Sequence, residues 1–422
     1  SEPPSGLRAR GLPRHTFRGI ARLAERLREK VELPGAIFLF DDWLASGDAS
    51  VPHPELFLAA AEECGGDEAF GACAERIHDL GYFVALALDR EALVPHRAGT
   101  PIVGEVAWRL AELATRSPGG LSRIRDLASP DLLIVREPRG EGTAPQLLDA
   151  RERFFAGANA LVPLLGGNVP WDGDLDRLMW IEELLPTHQR GGLEELATMK
   201  PIFAALYQLS FRFAARPGEE LAPSDAHRLL LHLLLAQPPV LEPPPELDSN
   251  GRALPPIEPS TGPEWRFARE GGFSEGRELS PHEIFIKTAA ETAGYLAQYA
   301  AREPLVSFRA LDDRGRVLES RFGFDLRVVV NFGPDPFTIE ETGMVLPELG
   351  FWIQYPFFYA FHALAAEGVE YEEPALFTVR SLEGKLYLRA EKVRIWHGFG
   401  PAKIRLGGRD FTVERETEAR IW

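Results

Sequence analysis

The first half of the chain alternates short runs of consecutive apolar residues with segments whose apolar residues recur every three or four positions. Consecutive apolar residues predict strands buried on both faces, as in a parallel sheet, and the longer spacing predicts amphipathic helices. Helices are predicted over 16–30 and over 67–80, the second capped by Asp67. The predicted strands are 36–40, 82–88, 132–135, 160–165, 202–211 and 240–241.

Alternating strands and helices indicate a parallel sheet with helices outside it, and the six strands predict an α/β fold of the (β/α)8-barrel type. A closed barrel has eight strands. Either the barrel is open in this chain or its first two units lie upstream of Ser1. Barrel enzymes carry their active sites at the carboxyl ends of the strands, so the residues that follow the predicted strands are the candidates for a site.

After a helix predicted over 281–302, apolar residues recur at every second position. Nine short runs between 306 and 413, including 317–322, 326–331 and 385–388, predict an antiparallel β-sandwich, which a short aromatic helix at 357–366 interrupts. The predicted domains are a loose N-terminal segment (1–15), an α/β barrel (16–245), a Pro/Gly-rich linker (246–280), a connecting helix (281–303) and a β-sandwich (304–422).

Composition narrows the class of partner. A formal net charge of −17 argues against binding to nucleic acid, whose phosphates attract a basic surface. No apolar run reaches the roughly 18 residues of a membrane-spanning helix, and no signal-peptide pattern opens the chain. Cys64 and Cys73 lack partners at zinc-binding spacing, which leaves a disulfide or, as we expect, two buried thiols. The compartment and the oligomeric state stay undetermined at this stage.

Polar and aromatic side chains follow several of the predicted strands. The first strand ends in Asp41, Asp42 and Trp43. Carboxylates hold sugar hydroxyls and an indole face stacks on a pyranose ring, so this pattern favours a carbohydrate site at the barrel rim. In the alternative interpretation, Asp42 or Ser46 caps a helix and Trp43 lies in the core. Other candidate substrate-binding residues near strand ends are Asp48, Asp89, Arg136, Asn168, Trp171 and Asp172.

Four segments, in order, resemble endo-α-N-acetylgalactosaminidase-type glycoside hydrolases and their bacterial relatives. They are DW…SGD…CGGDEAF (42–70), LGYFVALALD (80–89), VVVNFG…LPELGF (328–351) and RIWHGFG (394–400). The resemblance extends over about residues 16 to 415. It implies a barrel followed by a sandwich, a carbohydrate partner and a soluble bacterial protein.

The same resemblance fails at the catalytic positions. The family's nucleophile is an Asp that closes the strand reading DLLIVRE here (131–137), which places Arg136, or at best Glu137, at that position. The family's acid is a Glu at the end of the next strand, where this chain has Leu165. Retaining hydrolysis requires two carboxyl groups about 5–5.5 Å apart, one of them able to hold a proton. The resemblance therefore implies the family's fold for this chain but not its catalytic activity.

Two hypotheses of function follow. Catalysis could rest on Asp42 and Glu137, which directly follow the first and third strands. The opposing interpretation of Glu137 is a salt bridge with the neighbouring Arg136 or Arg139, and the protein is then a non-catalytic carbohydrate-binding or assembly module.

Metal ions and cofactors are not expected. Asp172, Asp174, Asp176 and Glu183 have the spacing of a calcium loop, but Arg177 replaces the required glycine, so a solvated acidic loop or a helix cap is favoured. Trp171 beside this loop is a second sugar platform or a packing residue. The sequence contains no HExxH motif, no nucleophile elbow and no nucleotide-binding glycine motif.

Overall fold

The computed structural model describes residues 15–41, 43–44, 58–89, 121–136, 153–167, 180–182, 212–214, 224–241, 279–301 and 303–421. The chain divides into two compact units, Ser1–Ile181 with Pro243–Glu258 and Glu182–Glu242 with Pro259–Trp422. None of the described helices is long and apolar enough to cross a membrane.

The first sheet contains parallel strands in chain order. Its strands are Ile37–Phe40 (β1), Phe83–Asp89 (β2), Leu132–Arg136 (β3), Leu164–Gly167 (β4), Trp180–Glu182 (β5) and Arg212–Ala214 (β6). Each neighbouring pair from β1 to β5 is parallel. The predicted parallel sheet is therefore present, although the described strands do not form a closed barrel. Residues 240–241, predicted as a strand, are not in a strand, and 202–211 lie outside the described residues.

Helices accompany this sheet: Phe17–Glu29 (α1), Gly66–Asp79 (α2), Leu121–Ala128 (α3) and residues 153–159 (α4). Helix α1 is capped by Thr16, whose hydroxyl accepts a hydrogen bond from the Gly19 amide at 3.0 Å. The prediction that Asp67 caps α2 is wrong, because Gly65 with φ of 118° occupies the cap. Asp67 instead accepts a hydrogen bond from the Ala60 amide at 2.7 Å and pairs with Arg123, so it fixes the loop before the helix.

The two faces of the parallel sheet have different neighbours. Phe40 lies 5.2 Å from Phe70 of α2 and 6.3 Å from Phe17 of α1, measured between ring centroids, so this face packs on helices. Alternate residues point to the other face, where Ala85 and Ile134, together with Leu132 and the half-buried Leu39, form a separate cluster. Burial on both faces explains why the strands appear in the sequence as unbroken apolar runs.

Apart from β6, the described part of the second unit contains two helices and two antiparallel sheets. The helices are Asp225–Leu234 (α5) and α6, which is made of Pro281–Ala289, a π-helical turn at Ala290–Gly294 and Tyr295–Ala300. The strands are Leu305–Ala310 (β7), Val317–Phe322 (β8), Leu326–Asn331 (β9), Phe337–Ile339 (β10), Met344–Leu346 (β11), Gly350–Tyr355 (β12), Phe358–Ala366 (β13), Val369–Ser381 (β14), Val393–Phe399 (β15), Lys403–Leu406 (β16), Arg409–Thr412 (β17) and Glu416–Ala419 (β18). The large sheet has the order β18-β15-β14-β13-β12-β9-β8-β7, and β16 pairs with β17.

Both faces of the large sheet are covered. One face buries Phe351 and Phe358 against apolar residues of α5 and α6, such as Leu229 and Leu296. The opposite face buries residues of β12, β13 and β14 with side chains from β10, β11, β16 and the segment after β17. The predicted antiparallel C-terminal domain is thus present, with helices over one face of its main sheet and short strands over the other.

Two local predictions in this unit are wrong. Residues 357–366 do not form an aromatic helix; Phe358–Ala366 is β13, which pairs with β12 on one side and β14 on the other. Residues 385–388 do not form a strand, because Tyr387–Arg389 is a short 3₁₀ turn. Cys64 and Cys73 are both buried and are not joined in a disulfide, as expected for two buried thiols.

The segment 328–351 that carried part of the family resemblance has a structural explanation. Asn331 at the end of β9 is fully buried, and its amide nitrogen donates to the carbonyl oxygens of Asp335 and Pro347, each at 2.9 Å, and of Leu346 at 3.3 Å. Its amide oxygen accepts from the Gly333 amide at 2.8 Å. One side chain therefore ties the end of β9 to the loop that precedes β12.

The 394–400 segment is also explained by packing. Gly398 is the extra residue of a bulge between β14 and β15, where Leu376 pairs with Phe399 and Phe377 with His397. A Cβ atom on Gly398 would lie 2.4 Å from Leu376 Cδ2, so a side chain does not fit without movement.

We predict that Asn331→Ala lowers the free energy of unfolding by about 3 kcal/mol, because several buried backbone groups lose their partner. Urea unfolding followed by circular dichroism measures this change. The matched control is Thr338→Ala on the exposed side of β10, which is expected to change stability by about 0.5 kcal/mol or less. Equal effects of the two substitutions would contradict the structural role of Asn331.

His232 of α5 is a buried titratable group. Its side chain is inaccessible to solvent, and its Nε2 accepts a hydrogen bond from the Val240 amide at 3.3 Å. Burial, together with the charge of Arg228, lowers the pKa of His232 to about 4. The unfolded chain therefore binds a proton near pH 6.5 that the folded chain does not accept until about pH 4.

We predict that stability falls as the pH decreases from 6.5 towards 4, with His232 contributing up to roughly 3 kcal/mol. His232→Gln, which keeps an acceptor without a titrating group, should reduce this slope in unfolding measurements across the pH range. Part of the slope should remain, because burial also lowers the pKa of His397. The control is His227→Gln, which changes a half-buried histidine on the same helix. The prediction is refuted if His232→Gln leaves the pH dependence of the free energy of unfolding unaltered.

Candidate functional site

The carboxyl edge of the parallel sheet brings two of the predicted site residues together. Asp89, the last residue of β2, is in register with Arg136, the last residue of β3. On the next strand, Val135 pairs with Gly167, so β4 ends close to the level of Arg136. Because neighbouring strands are about 4.8 Å apart, Asp89 and Arg136 are adjacent at this edge.

Asp41 follows β1 directly and is half-buried. Phe40, which precedes it, pairs with Leu86, so β1 ends below the level at which β2 reaches Asp89. Asp41 thus lies at the same edge of the sheet as the ends of β2 and β3, but Asp89 extends further along the strand direction. The ends of β1, β2 and β3 are thus described parts of the predicted rim.

Trp43 does not offer a face to a sugar. Its side chain is 1% exposed, its ring stacks on Phe70 with centroids 5.3 Å apart, and its Nε1 donates to the Ala87 carbonyl at 3.0 Å. The Ala61 amide also donates to the Trp43 carbonyl at 2.8 Å, so the loop before α2 closes over the residue. This placement corrects the expectation of a sugar platform and favours the alternative in which Trp43 is a core residue.

Several predicted site residues are not described. Asp42, Asp48, Glu137, Asn168, Trp171 and Asp172 lie outside the described residues, as do the side chains of Asp89 and Arg136. The pairing of Asp42 with Glu137 therefore stays a prediction. The acidic segment 172–183 is also outside, except for Trp180–Glu182, which is β5.

The two positions at which the resemblance failed are now located on strands. Arg136 ends β3, and Leu165 lies within β4 in register with Leu133. Leu165 is 1% exposed, so its side chain is part of the core and does not point into an open site. Among the described residues, no group of three potential metal ligands is present.

Sequence reasoning missed a cleft at the amino-terminal ends of α1 and α2. It has a volume of about 810 Å³, and its charged lining residues are Arg18, Arg22, Glu62 and Glu63. Helix α1 leads into β1 and helix α2 into β2 through short connections. The amino-terminal ends of both helices therefore lie near the edge of the sheet at which β1 and β2 end. The signals that could have located this cleft are the cap Thr16 and the Gly65-Gly66 turn.

A second missed interaction lies at the opposite edge of the sheet. Asp131, which precedes β3, accepts hydrogen bonds from the Val84 amide at 2.8 Å and contacts His78 Nε2 at 3.0 Å. These contacts connect α2, β2 and β3 at the amino-terminal edge. Asp131 and His78 therefore hold these three elements together.

Comparison with known proteins gives no family model and no curated protein that matches this chain. Solved structures show weak similarity. The α-N-acetylgalactosaminidase NagBb from Bifidobacterium bifidum, in its GalNAc complex, aligns with a TM-score of 0.46 and 14% identity over 75% of this chain and 51% of that enzyme. The chain thus spans about half the length of NagBb.

Two further enzymes align over most of the chain. The debranching enzyme of Nostoc punctiforme gives a TM-score of 0.45 with 15% identity, covering 80% of this chain and 89% of its own. The maltogenic α-amylase AmyB of Thermotoga neapolitana gives 0.44 with 9% identity, covering 98% and 95%. All three are glycoside hydrolases, the class named by the sequence resemblance. Scores this low assign no activity, so the residues of this chain carry the functional argument.

The burial of Trp43 gives a direct test of its role. We predict that Trp43→Phe lowers the free energy of unfolding by about 1–3 kcal/mol, because the smaller ring leaves a cavity and an unpaired Ala87 carbonyl. If the protein binds sugar, as the sequence predicts, the folded variant should bind it with the same affinity. Binding that disappears while stability is kept would restore the sugar-platform interpretation. Urea unfolding and calorimetric titration with the same preparation measure the two quantities.

Proposed function

We propose that this protein recognises carbohydrate at the carboxyl edge of its parallel sheet. The observation that supports this most directly is the register of Asp89 with Arg136, with Asp41 on the neighbouring strand end. A carboxylate accepts hydrogen bonds from sugar hydroxyls, and a guanidinium group donates to hydroxyl, ring or carbonyl oxygens. In this proposal the loops after the strands complete the site, with Asp48, Asn168, Trp171 and Asp172 as further contacts.

Recognition without hydrolysis is favoured over the activity of the resembling family. The resemblance implies Arg136, or at best Glu137, at the family's nucleophile position and Leu165 at the position of its acid. A guanidinium group does not attack an anomeric carbon, and a buried leucine does not donate a proton. A protein that keeps the binding edge without these two carboxyl groups binds the sugar and releases it unchanged.

Hydrolysis by Asp42 and Glu137 is the second candidate, because these residues directly follow Asp41 at the end of β1 and Arg136 at the end of β3. Strand β2 lies between β1 and β3, so the ends of these two strands are separated by two strand spacings, about 10 Å across the sheet. Carboxyl groups separated by about 6.5–9.5 Å suit inversion, whereas retention requires about 5–5.5 Å. If the pair is active, we expect inversion of the anomeric configuration.

The binding proposal is tested by titrating the full chain against a panel of neutral mono- and oligosaccharides that includes N-acetylgalactosamine. Asp89→Asn and Arg136→Gln should each weaken binding about tenfold, because each removes a charged hydrogen-bonding group. The matched controls are Asp126→Asn and Arg125→Gln, which change an exposed ion pair on α3. Loss of affinity in the controls to the same extent would show a non-specific effect of charge.

The hydrolysis candidate is tested with a panel of aryl glycosides and with oligosaccharides, using Asp42→Asn and Glu137→Gln. If the pair is catalytic, each variant should lose at least about 100-fold in kcat/KM with its sugar binding intact. Binding with no turnover supports recognition. The absence of both binding and turnover across the panel would falsify both candidates.

A further inference from the structure

A fully buried carboxylate in the second unit is surrounded by arginines. Glu319 of β8 has a side-chain exposure of 0%, and its two oxygens accept hydrogen bonds from three guanidinium groups. Arg309 Nε donates to Oε2 at 2.5 Å, and the Nε atoms of Arg321 and Arg327 donate to Oε1 at 2.8 and 2.6 Å. We call Arg309, Glu319, Arg321 and Arg327 the Glu319 cluster.

Three strands position this cluster. Glu319 is in register with Arg309 of β7, and Arg321 with Arg327 of β9. Arg327 is further fixed by Glu341 at 3.1 Å and by Trp352, whose ring centroid lies 5.1 Å from the guanidinium carbon. Rigid strands with their own hydrogen bonds hold the side chains, so their geometry does not depend on a loop.

Two of the arginines direct unused hydrogen-bond donors to solvent. Arg309 is 54% exposed and Arg321 44%, and each is anchored to Glu319 through Nε. Within the part of the chain that the structure describes, their terminal nitrogens make no hydrogen bond. Each arginine therefore keeps donors for a second partner, and the two are anchored to opposite oxygens of one carboxylate.

The charges of the cluster do not balance. One arginine neutralises Glu319 and Glu341 pairs with Arg327, so three guanidinium groups face two carboxylates on a chain whose net charge is −17. Burial alone would raise the pKa of Glu319, but hydrogen bonds from Arg309 and Arg321 and the charge of Arg327 bring it below its usual value. The carboxylate thus stays ionised, and a surplus positive charge lies at the exposed end of the cluster.

We propose that Arg309 and Arg321 form a binding site for an oxyanion, a carboxylate, sulfate or phosphate group. Guanidinium groups bind such anions through paired hydrogen bonds, and anchoring by Glu319 removes much of the side-chain entropy that binding would otherwise cost. The oxyanion site lies in the C-terminal unit, whereas the proposed carbohydrate site lies at the carboxyl edge of the parallel sheet. The oxyanion proposal therefore does not depend on the carbohydrate proposal. Its ligand is a free anion or an acidic group carried on a sugar.

The experiment titrates the full chain at constant ionic strength with sodium sulfate, sodium phosphate and glucuronate, with glucose as the uncharged counterpart of glucuronate. Binding is followed by the NMR signals of the arginine Nε–H groups. The signals of Arg309 and Arg321 should shift saturably, with a Kd on the order of millimolar for a two-arginine contact. Glucuronate tighter than sulfate and phosphate would identify an acidic sugar as the source, and the reverse order a free anion.

Variants separate a specific site from general charge effects. Arg309→Gln and Arg321→Gln should each weaken binding about tenfold, and both proteins should fold because Glu319 keeps two arginine partners. Arg321→Lys keeps the positive charge but loses the paired N–H donors of the planar guanidinium group, so it should also weaken binding several-fold. The control is Arg405→Gln, an exposed arginine paired with Asp410 at 2.6 Å in the two-stranded sheet.

Each outcome decides the proposal. Saturable shifts that the Arg309 and Arg321 variants reduce and the Arg405 variant does not would support it. Shifts that do not saturate, equal losses in all variants, or equal responses to glucuronate and glucose would overturn it. Because the readout is local to these side chains, failure here leaves the carbohydrate proposal for the parallel sheet intact.

Discussion

A buried ion pair between helix α6 and strand β15 fixes the arrangement of the C-terminal unit. Arg394 donates to both oxygens of Glu291, at 2.6 and 2.9 Å, and Lys287 lies 3.1 Å from the same carboxylate. Burial alone would raise the pKa of Glu291, but Arg394 and Lys287 hold it below its usual value. Apolar contacts drive the helix onto the sheet, and these charges decide how it lies there, because a buried charge without its partner is costly.

The sheet beneath α6 depends on that arrangement. The helix contributes Phe285, Ala289 and Leu296 to one apolar cluster. That cluster also contains the face of the large sheet that carries Phe351 and Phe358. A sheet with apolar residues on both faces must be covered on both, and here helices cover one face and short strands the other. The buried polar side chains within it, Asn331 at the end of β9 and Glu319 of β8, have their hydrogen bonds satisfied from neighbouring strands and loops.

The sequence was informative where burial and turns left a local pattern. Strands β8 and β9 were predicted with their observed bounds because a tight turn separates them, apolar residues lie at both ends of the turn, and β9 contains three consecutive valines. Strand β13 was missed because Tyr359 and Phe361 are buried on one face and Phe358 and Ala360 on the other, so no polar alternation remained. Its strand character comes from pairing with β12 and β14, which a local pattern does not contain.

The candidate site was predictable to a similar extent. Strand ends identified Asp89 and Arg136, and the absence of carboxylates at Arg136 and Leu165 was visible in the residues themselves. Register, which makes Asp89 and Arg136 neighbours, depends on long-range pairing. Trp43 was misjudged because its burial depends on the segment around Ala61 and on Phe70, both distant in sequence. The exposure of an aromatic residue at a strand end is set by the loop that covers it.

The π-helical turn at Ala290–Gly294 has a consequence for comparing this chain with its relatives. A π turn contains one residue more than an α turn, which rotates everything after it by about 100° about the helix axis. Phe285 and Leu296 face the sheet from the two α-helical segments, which are out of phase by one position. A protein with an uninterrupted α-helix at this place has one residue fewer than α6. Its alignment with this chain therefore needs a gap of one residue, and that gap falls inside the π turn.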